Sequence, residues 1–275
     1  MFQLLALIHL ALIVAIPGAI LACAMTRAVG PGQAVLVGLL ALPIAGFALA
    51  LTAACLSCLH RASVRPGKML RDLSERGYMQ RRLYGLCWTT LYYCKFVYYG
   101  VLVVPPARGL ILGLFGYRGS ADFTIYPDTW IRDLPLLEVE AGAYLSNRAT
   151  IGTNVVLSNG RILVDRVKIG ANAVVGHLAM VGPGVVLERG AEIGVGAAIG
   201  FSSHIGERAK IGPKATIEHG VRVGAGARVG TASYVGNGCI IDPGVIIPPG
   251  SVIPARTKLS TSSAFAPRWQ PAMAV

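Results

Sequence analysis

Three histidines in the second half of the chain, His177, His204 and His219, carry the side chain best suited to general-base catalysis. An imidazole changes charge near neutral pH, so it can take a proton from a hydroxyl or an amine that attacks a substrate. We predict all three as catalytic residues and rank His177 first. The alternative for each is a solvated or interface histidine without a catalytic role.

His177 ranks first because polar side chains collect near it in the sequence. Four such residues are predicted to bind a substrate: Asn154, Asn159, Arg161 and Asn172. The segment 158–161, Ser-Asn-Gly-Arg, replaces a regular repeat with side chains that can hold a ligand. The alternative is that Asn and Gly only form turns here, since both residues favour them.

A six-residue repeat organises the part of the chain that carries these residues. From Val139 to Leu259 an aliphatic residue occupies every sixth position, 21 times without a slip. Glycine often follows it, and a small residue often precedes it by two positions. Neither helical nor hairpin periodicity has this spacing. The pattern predicts a solenoid with three short faces per coil, in which each aliphatic residue points inward and stacks on its equivalent eighteen residues away.

The unbroken spacing predicts about seven coils and no protruding loop. Glycine is expected at the tight corners, where it permits positive φ. Residues 122–136 (DFTIYPDTWIRDLPL) are expected to form a first irregular coil over the open end of the solenoid. Alternatively, they line a cleft at that end through Asp128, Trp130, Arg132 and Asp133.

The hexads, such as IGANAV at 169–174, resemble the left-handed β-helix, or hexapeptide-repeat, superfamily over residues 139–259. The resemblance implies an all-β left-handed parallel β-helix. It also implies an acyltransferase with no bound cofactor, which uses acyl-CoA or an acyl-carrier thioester as co-substrate. A histidine would act as general base, backbone N–H groups would hold the oxyanion, and the active sites would lie between the prisms of a homotrimer.

The first half of the chain shows a narrower likeness. An apolar hairpin, the "RPGK" turn at 65–68 and "LGLFGYRG" at 112–119 come before the hexads. This order resembles one unit of the membrane-embedded terminal region of ε-polylysine-synthetase-like non-ribosomal peptide synthetases. Several such units follow a carrier domain there, whereas this sequence contains one unit and no carrier.

The superfamily also includes zinc enzymes of the γ-carbonic-anhydrase class, in which histidine ligands of the metal stack on one face. Here the three histidines of the repeat are separated by 27 and 15 residues, and neither separation is a multiple of 18. Because tetrahedral zinc needs converging ligands, we predict no metal site in one chain.

The N-terminal third is predicted to be a membrane module. Residues 1–25 and 34–59 contain no charged side chain, and each stretch exceeds the ~20 residues that span a bilayer as a helix. One arginine lies between them, whereas seven basic residues follow: Arg61, Arg65, Lys68, Arg71, Arg76, Arg81 and Arg82. The positive-inside rule therefore places both ends of the hairpin in the cytoplasm. A cleaved signal peptide is disfavoured because no basic segment precedes the first apolar run.

The formal net charge of +12 indicates contact with anionic head groups rather than nucleic acid, because no nucleic-acid-binding motif accompanies it. Residues 83–104 are predicted to form an interfacial aromatic helix, with Lys95 in its middle. The alternative is a third membrane span. Pro105 and Pro106 are expected to end this element, and 110–115 to form a short apolar piece on the membrane.

The predicted organisation is a transmembrane helical hairpin (1–60), a basic linker with interfacial helices (61–120), a β-helix domain (121–260) and a C-terminal tail (261–275). The resemblance and the anchor together favour an O- or N-acyltransferase of the inner membrane, multi-pass, with the β-helix in the cytoplasm and a small-molecule or lipid-linked acceptor. The rival hypotheses are a non-catalytic trimeric scaffold or partner of a peptide or polysaccharide synthetase, and a metalloenzyme like γ-carbonic anhydrase.

Overall fold

The computed structural model describes residues 1–28 and 30–260, so the predicted tail at 261–275 lies outside the described residues. Helices fill the first part of the chain. They are α1 (Phe2–Met25), α2 (Pro31–Cys58), α3 (Arg76–Tyr93), α4 (Lys95–Val103) and α5 (Pro105–Leu114), with 3-10 turns at Arg61–Ser63 and Leu134–Leu136.

The strands are short, and most contain two residues. In chain order they are β1 (Gly67–Leu70), β2 (Thr124–Ile125), β3 (Trp130–Ile131), β4 (Leu137–Val139), β5 (Tyr144–Leu145), β6 (Thr150–Ile151), β7 (Asn154–Val156), β8 (Arg161–Val164), β9 (Val167–Ile169), β10 (Val174–Val175), β11 (Met180–Val181), β12 (Val186–Leu187), β13 (Glu192–Ile193), β14 (Ala198–Ile199), β15 (His204–Ile205), β16 (Lys210–Ile211), β17 (Thr216–Ile217), β18 (Arg222–Val223), β19 (Arg228–Val229), β20 (Tyr234–Val235), β21 (Ile240–Ile241), β22 (Ile246–Ile247), β23 (Val252–Ile253) and β24 (Lys258–Leu259).

The chain folds into two compact units. The N-terminal unit contains residues 1–121 together with two short segments from further along, Arg132–Leu136 and Ser158–Ile162. The C-terminal unit contains Asp122–Ile131, Leu137–Leu157 and the chain from Leu163 onward.

In the N-terminal unit, α1 and α2 form a hairpin whose helices are long and apolar enough to cross a membrane. Pro31 opens α2 at a position where its missing N–H costs nothing. The buried face of α2 consists largely of alanines, which allow close helix contact, whereas most of its leucines are exposed. This arrangement confirms the predicted helical hairpin and fits a transmembrane location.

The prediction of one helix over residues 83–104 is wrong, because two helices share this stretch. α3 ends at Tyr93, and the chain turns at Cys94, with φ −78° and ψ 70°, before α4 begins. The prediction that Pro105 and Pro106 end this element is confirmed, since α4 ends at Val103. Both prolines lie in the first turn of α5, where proline is tolerated, and α4 and α5 meet at a bend of 114°.

The C-terminal unit is the predicted left-handed parallel β-helix. Three seven-stranded parallel sheets form its faces, in the orders β2-β5-β10-β13-β16-β19-β22 (sheet 1), β3-β6-β11-β14-β17-β20-β23 (sheet 2) and β4-β9-β12-β15-β18-β21-β24 (sheet 3). The second residue of each strand points inward, as at Ile193, Ile199 and Ile205, each at most 2% exposed. Alanines such as Ala191 and Ala197 fill the corners of the core.

The glycines that follow the aliphatic residues are needed for space rather than for positive φ. A Cβ on Gly194 would lie 2.5 Å from the backbone nitrogen of Pro213 in the next coil. Positive φ occurs two residues later in the hexad, at Gly196 (65°) and also at Lys214 (56°) and Leu178 (58°). The expectation that glycine permits positive φ at the tight corners is confirmed at residues such as Gly190 (64°) and Gly196 (65°), which are not the glycines that follow the aliphatic residues.

The repeat is not unbroken. Val139 pairs with Ile169, and Ile151 pairs with Val181, so these equivalent residues of neighbouring coils are 30 positions apart instead of 18. The twelve additional residues leave the solenoid as a hairpin of β7 and β8, closed at its base by the Asp165 N–H, which donates to the Thr153 carbonyl (2.9 Å). The prediction of no protruding loop is therefore wrong. The sequence did not reveal the hairpin because its twelve residues are two whole hexads, which leave the aliphatic spacing in phase.

Residues 122–136 supply the first coil, as expected, since β2 pairs with β5 and β3 with β6. The described strands make seven coils, but these start at Thr124 and exclude the β7–β8 hairpin. Asp133, with φ 52°, is fully buried and binds Arg81 of α3, both in the N-terminal unit. Asp133 therefore does not line an open cleft.

Candidate active site

The three candidate catalytic histidines lie at three different places in the β-helix. His177 is at the corner between sheets 1 and 2, His204 points outward from β15 in sheet 3, and His219 is at the corner between sheets 2 and 3. The structure does not bring them together within the chain. Among residues 1–28 and 30–260, no group of three or more His, Cys, Asp or Glu side chains is placed to hold a metal ion.

His204 is held by a carboxylate. Its Nε2 lies 2.8 Å from Oε1 of Glu188, which follows β12 at the corner one coil earlier. The other carboxylate oxygen, Oε2, accepts the backbone N–H of Glu207 (3.0 Å). Both side chains remain almost half exposed, at 45% and 43%. The imidazole is therefore oriented by one ring nitrogen while a substrate could reach the other.

A groove of about 550 Å³ runs over sheet 3 at this place. Its charged and titratable lining residues are Glu188, His204, Arg222 and Asp242. His204 and Arg222 are direct neighbours on paired strands, so their side chains point from the same face. The groove thus combines one oriented base, two carboxylates and one guanidinium.

Sequence reasoning placed His204 among the candidates but did not find its partner Glu188. A signal was present: the eighteen-residue period places Val186 beside His204, as the strand pairing shows, and Glu188 is two residues further. The repeat does not predict the corner conformation that turns the Glu188 carboxylate back toward His204.

Glu140 holds the same hexad position as Glu188. Its Oε2 accepts the N–H of Ala171 (2.9 Å), and its Oε1 lies 3.1 Å from Lys168 Nζ. The hydrogen bond from Lys168, followed by that from Ala171, lowers the pKa of the Glu140 carboxyl. The two glutamates therefore perform the same backbone-capping role, but one faces a lysine and the other a histidine.

His177, ranked first from sequence, occupies a different environment. Its backbone carbonyl accepts the Gly196 N–H (2.8 Å). The next residue, Leu178, donates its backbone N–H to the carbonyl of Asn147 in the preceding coil, so Asn147 lies close to His177. Within the described part of the chain, its ring takes part in no hydrogen bond or ion pair. The structure thus places His177 beside Asn147 but gives it no orienting carboxylate.

His219 is fixed by packing. Its ring stacks on Phe201 with centroids 3.6 Å apart and planes 15° apart, and Nδ1 is buried above the Gly200 backbone. Its backbone N–H donates to Asn237 Oδ1 (3.1 Å), and Nε2 lies 3.7 Å from a Glu218 carboxylate oxygen. These contacts favour a structural role at the corner.

The four predicted substrate-binding residues do not line the groove at His204. Asn172 has φ 56° at a corner, and Asn154 lies in β7. Asn159 accepts the backbone N–H of Arg161 (3.1 Å) through Oδ1, which forms the turn at the tip of the hairpin. Turn formation accounts for Asn159 and Asn172, and a binding role for the four residues stays a prediction.

No protein-family model and no curated protein matches this sequence. Among solved structures, the chain is similar to the acetyltransferase domain of PglB from Neisseria gonorrhoeae, with 21% identity, coverage of 46% of this chain and 52% of that chain, and a TM-score of 0.36. It is similar to perosamine N-acetyltransferase from Caulobacter crescentus, described in complex with CoA and GDP-perosamine, with 19% identity, 54% and 60% coverage, and a TM-score of 0.36.

It is also similar to UDP-N-acetylglucosamine acyltransferase from Campylobacter jejuni, with 17% identity, 47% and 66% coverage, and a TM-score of 0.26. In each case the match spans less than two thirds of the other chain. At these TM-scores the likenesses add nothing to the β-helix that is seen directly in the strand pairing.

Proposed function

We propose that this protein is a membrane-anchored acyltransferase that moves an acyl group from acyl-CoA or a carrier thioester to a hydroxyl or an amine, with His204 as general base. The observation that carries the proposal is the 2.8 Å contact between His204 and Glu188 inside an open groove. The hexad resemblance to β-helix acyltransferases supports the reaction class.

The geometry suits proton transfer at one defined atom. If the Glu188 carboxylate accepts Nε2–H of His204, the Nδ1 lone pair is left to take the proton of an attacking hydroxyl or amine. The acceptor atom then bonds to the thioester carbonyl carbon, the carbon–sulfur bond breaks, and the thiolate recovers the proton from Nδ1. The adjacent carboxylate stabilises the imidazolium between these steps, in the same way that a triad acid does.

Two further parts of the proposal concern location and assembly. The basic residues after α2 favour an inner-membrane anchor with the β-helix in the cytoplasm, where a lipid-linked acceptor is concentrated at the same surface. A homotrimer would place a second prism beside the corners of the first and close the groove, which is open to solvent in one chain.

Thioester turnover by detergent-purified protein tests the proposal. Acetyl-CoA and longer acyl-CoAs are offered with mixed hydroxyl and amine acceptors, and free thiol is measured. We expect His204→Ala to lower the rate by about 10²–10⁴-fold, the usual contribution of a general base. Glu188→Gln should lower it less, because the base remains but its imidazolium loses the neighbouring charge.

Matched controls separate the site from the scaffold. Glu140→Gln removes the equivalent carboxylate two coils earlier and should leave the rate unchanged, as should His177→Ala. A rate that disappears in His177→Ala but not in His204→Ala would place the base at the corner that carries His177. Equal turnover in all variants would mean that no histidine of the repeat is the base.

A non-catalytic scaffold is the second candidate function. The observation that favours it is that Glu188 repeats the backbone capping of Glu140, so its contact with His204 can be explained by the fold alone. In that case no variant turns over thioester, and co-purification with a peptide or polysaccharide synthetase becomes the measurement. The likeness to ε-polylysine-synthetase-like proteins stays a prediction.

A further inference from the structure

Two histidines meet inside the membrane module, outside the proposed active site. His9 lies in α1, and His60 follows the end of α2. They are only 6% and 7% exposed. Ionisable side chains in membrane segments are costly to bury and commonly serve a function.

With the Gln80 amide oxygen facing His60, the hydrogen bonds of the outer ring nitrogens determine where the protons lie. Nδ1 of His9 is 2.7 Å from the Leu5 carbonyl oxygen, so this nitrogen must carry a hydrogen and donate it. Nδ1 of His60 contacts Oε1 of Gln80 in α3, which likewise requires a hydrogen on the imidazole nitrogen. Each neutral imidazole carries one hydrogen, so both Nε2 atoms are left as acceptors.

These two acceptors face each other at 2.8 Å, and two lone pairs cannot meet at that distance without a positive centre between them. A proton fits without any movement, since 2.7–3.2 Å is the normal range for a nitrogen donor. A metal ion does not fit as closely. With metal–nitrogen bonds of about 2.0–2.1 Å, the two nitrogens would stand roughly 3.3 Å apart or more.

A neutral arrangement of the same three side chains also exists. If the Gln80 amide rotates by half a turn, its NH₂ donates to Nδ1 of His60, which then donates from Nε2 to His9. The group facing His60 from α1 is His9, and the group facing it from α3 is the uncharged Gln80. Arg81 of α3 is engaged with Asp133, and Arg61 after α2 points to the Leu114 carbonyl (3.4 Å).

We propose that His9 and His60 form a proton-binding site of the membrane module, which holds one proton between their two Nε2 atoms, and that Gln80 rotates its amide from donor to acceptor when the proton arrives. Burial lowers the pKa of His60, so loading takes place below the ordinary histidine pKa of about 6.5. A second proton would set two N–H groups against each other and break the link between α1 and α3.

The lowered pKa of His60 determines how the stability of the folded state depends on pH. A lowered pKa means that the folded state prefers the neutral pair, so stability is fully present above about pH 6.5 and decreases as the pH falls through the folded-state value. Replacing both histidines by glutamine should remove this part of the acid sensitivity.

The test is an NMR titration of the full chain, ¹⁵N-labelled at histidine, in detergent micelles. His9→Gln and His60→Gln assign the two signals, and the signal of the half-buried His177 in the β-helix serves as a reference outside the pair. We expect the His60 ring to titrate below about pH 6.5, with uptake of a single proton that is shared with His9 and both Nδ1 atoms protonated in the loaded state. Gln80→Glu, which can only accept when ionised, should move uptake to higher pH, and Gln80→Leu should move it lower.

Independent titration of the two rings, or no shift with Gln80→Glu, would overturn the proposal. So would stoichiometric zinc or copper in the purified protein that is lost in His9→Gln. If the Gln80 variants do not fold, His9→Gln still decides the question, because His60 should then lose the shared proton and titrate at a different pH from the wild type.

Discussion

The two units of this chain arrange polar and apolar side chains in opposite ways. In the β-helix the inward residues are aliphatic and the outward positions carry charges, as at Ile211 and Lys210 of one strand. In the N-terminal unit the exposed residues include Leu7 and Leu39, while His9 and Arg81 are buried. The difference fits the prediction that hydrocarbon surrounds the helical hairpin of the N-terminal unit, whereas water surrounds the β-helix.

The largest loss of stability is expected when the buried ion pair of the N-terminal unit is broken. Arg81→Met removes the guanidinium that Asp133 binds and should destabilise this unit by about 3–5 kcal/mol. Thermal unfolding in detergent, followed by circular dichroism at the helical band, measures it. The double variant Arg81→Met/Asp133→Asn should recover part of the loss, because Asn also accepts positive φ. If Arg81→Met is as stable as the wild type, the ion pair does not stabilise this unit.

The β-helix should respond most strongly at its inner ladder. Ile247→Ala leaves a cavity at a residue that is 1% exposed and should cost about 2–5 kcal/mol in denaturant unfolding. Its matched control is the neighbouring residue of the same strand: Ile246→Ala removes the same atoms from a side chain that is 65% exposed, and should change stability by less than about 0.5 kcal/mol. Equal losses at both sites would contradict the inward and outward assignment.

Glycine-to-alanine substitutions should also differ in their effect on stability, according to the space around each glycine. Gly194→Ala places a Cβ 2.5 Å from the next coil's backbone and should destabilise the β-helix by about 1–3 kcal/mol. Gly100→Ala in α4 meets no atom within 4 Å and should stabilise its helix by up to about 1 kcal/mol. Parallel thermal unfolding of both variants checks the pair. A neutral Gly194→Ala would mean that the coils can separate at little cost.

The smallest effect is expected on the outer face of the β-helix. Lys210 Nζ lies 2.8 Å from Glu192 Oε1, and both side chains are about half exposed. Lys210→Met should therefore cost at most about 1 kcal/mol, and less in high salt. Denaturant unfolding of Lys210→Met, Glu192→Gln and the double variant gives the coupling energy of the pair. A coupling energy that does not fall with salt would indicate a buried pair.

Much of the β-helix was predictable because each hexad repeats the same local instruction. Residues such as Ile193 and Ile199 point inward for a reason visible in any six-residue window, so no long-range information was needed. Leu157 and Leu163 obey the same spacing but belong to the β7–β8 hairpin. An insertion of two hexads preserves the phase, and only strand pairing across 30 residues reveals it.

The candidate site was predictable only in part, because its contacts depend on corners and on helix register. His204 is recognisable by type, but the partner Glu188 is 16 residues away and turns toward it at a corner. The contact between His9 and His60 spans 51 residues and depends on how α1 and α2 are aligned. Periodicity describes neither relation, since both are set by the relative position of separate elements.

The β7–β8 hairpin also affects the order in which the solenoid can assemble. Folding in a β-helix spreads from coil to coil, because each new strand closes a loop of eighteen residues onto the last one. At the second coil that loop is 30 residues long, which adds about 0.5 kcal/mol of chain entropy by the logarithmic loop-closure relation. The five coils beyond Ile169 contain only short-range steps and can therefore nucleate first, and the coils that precede the hairpin then join a template that already exists.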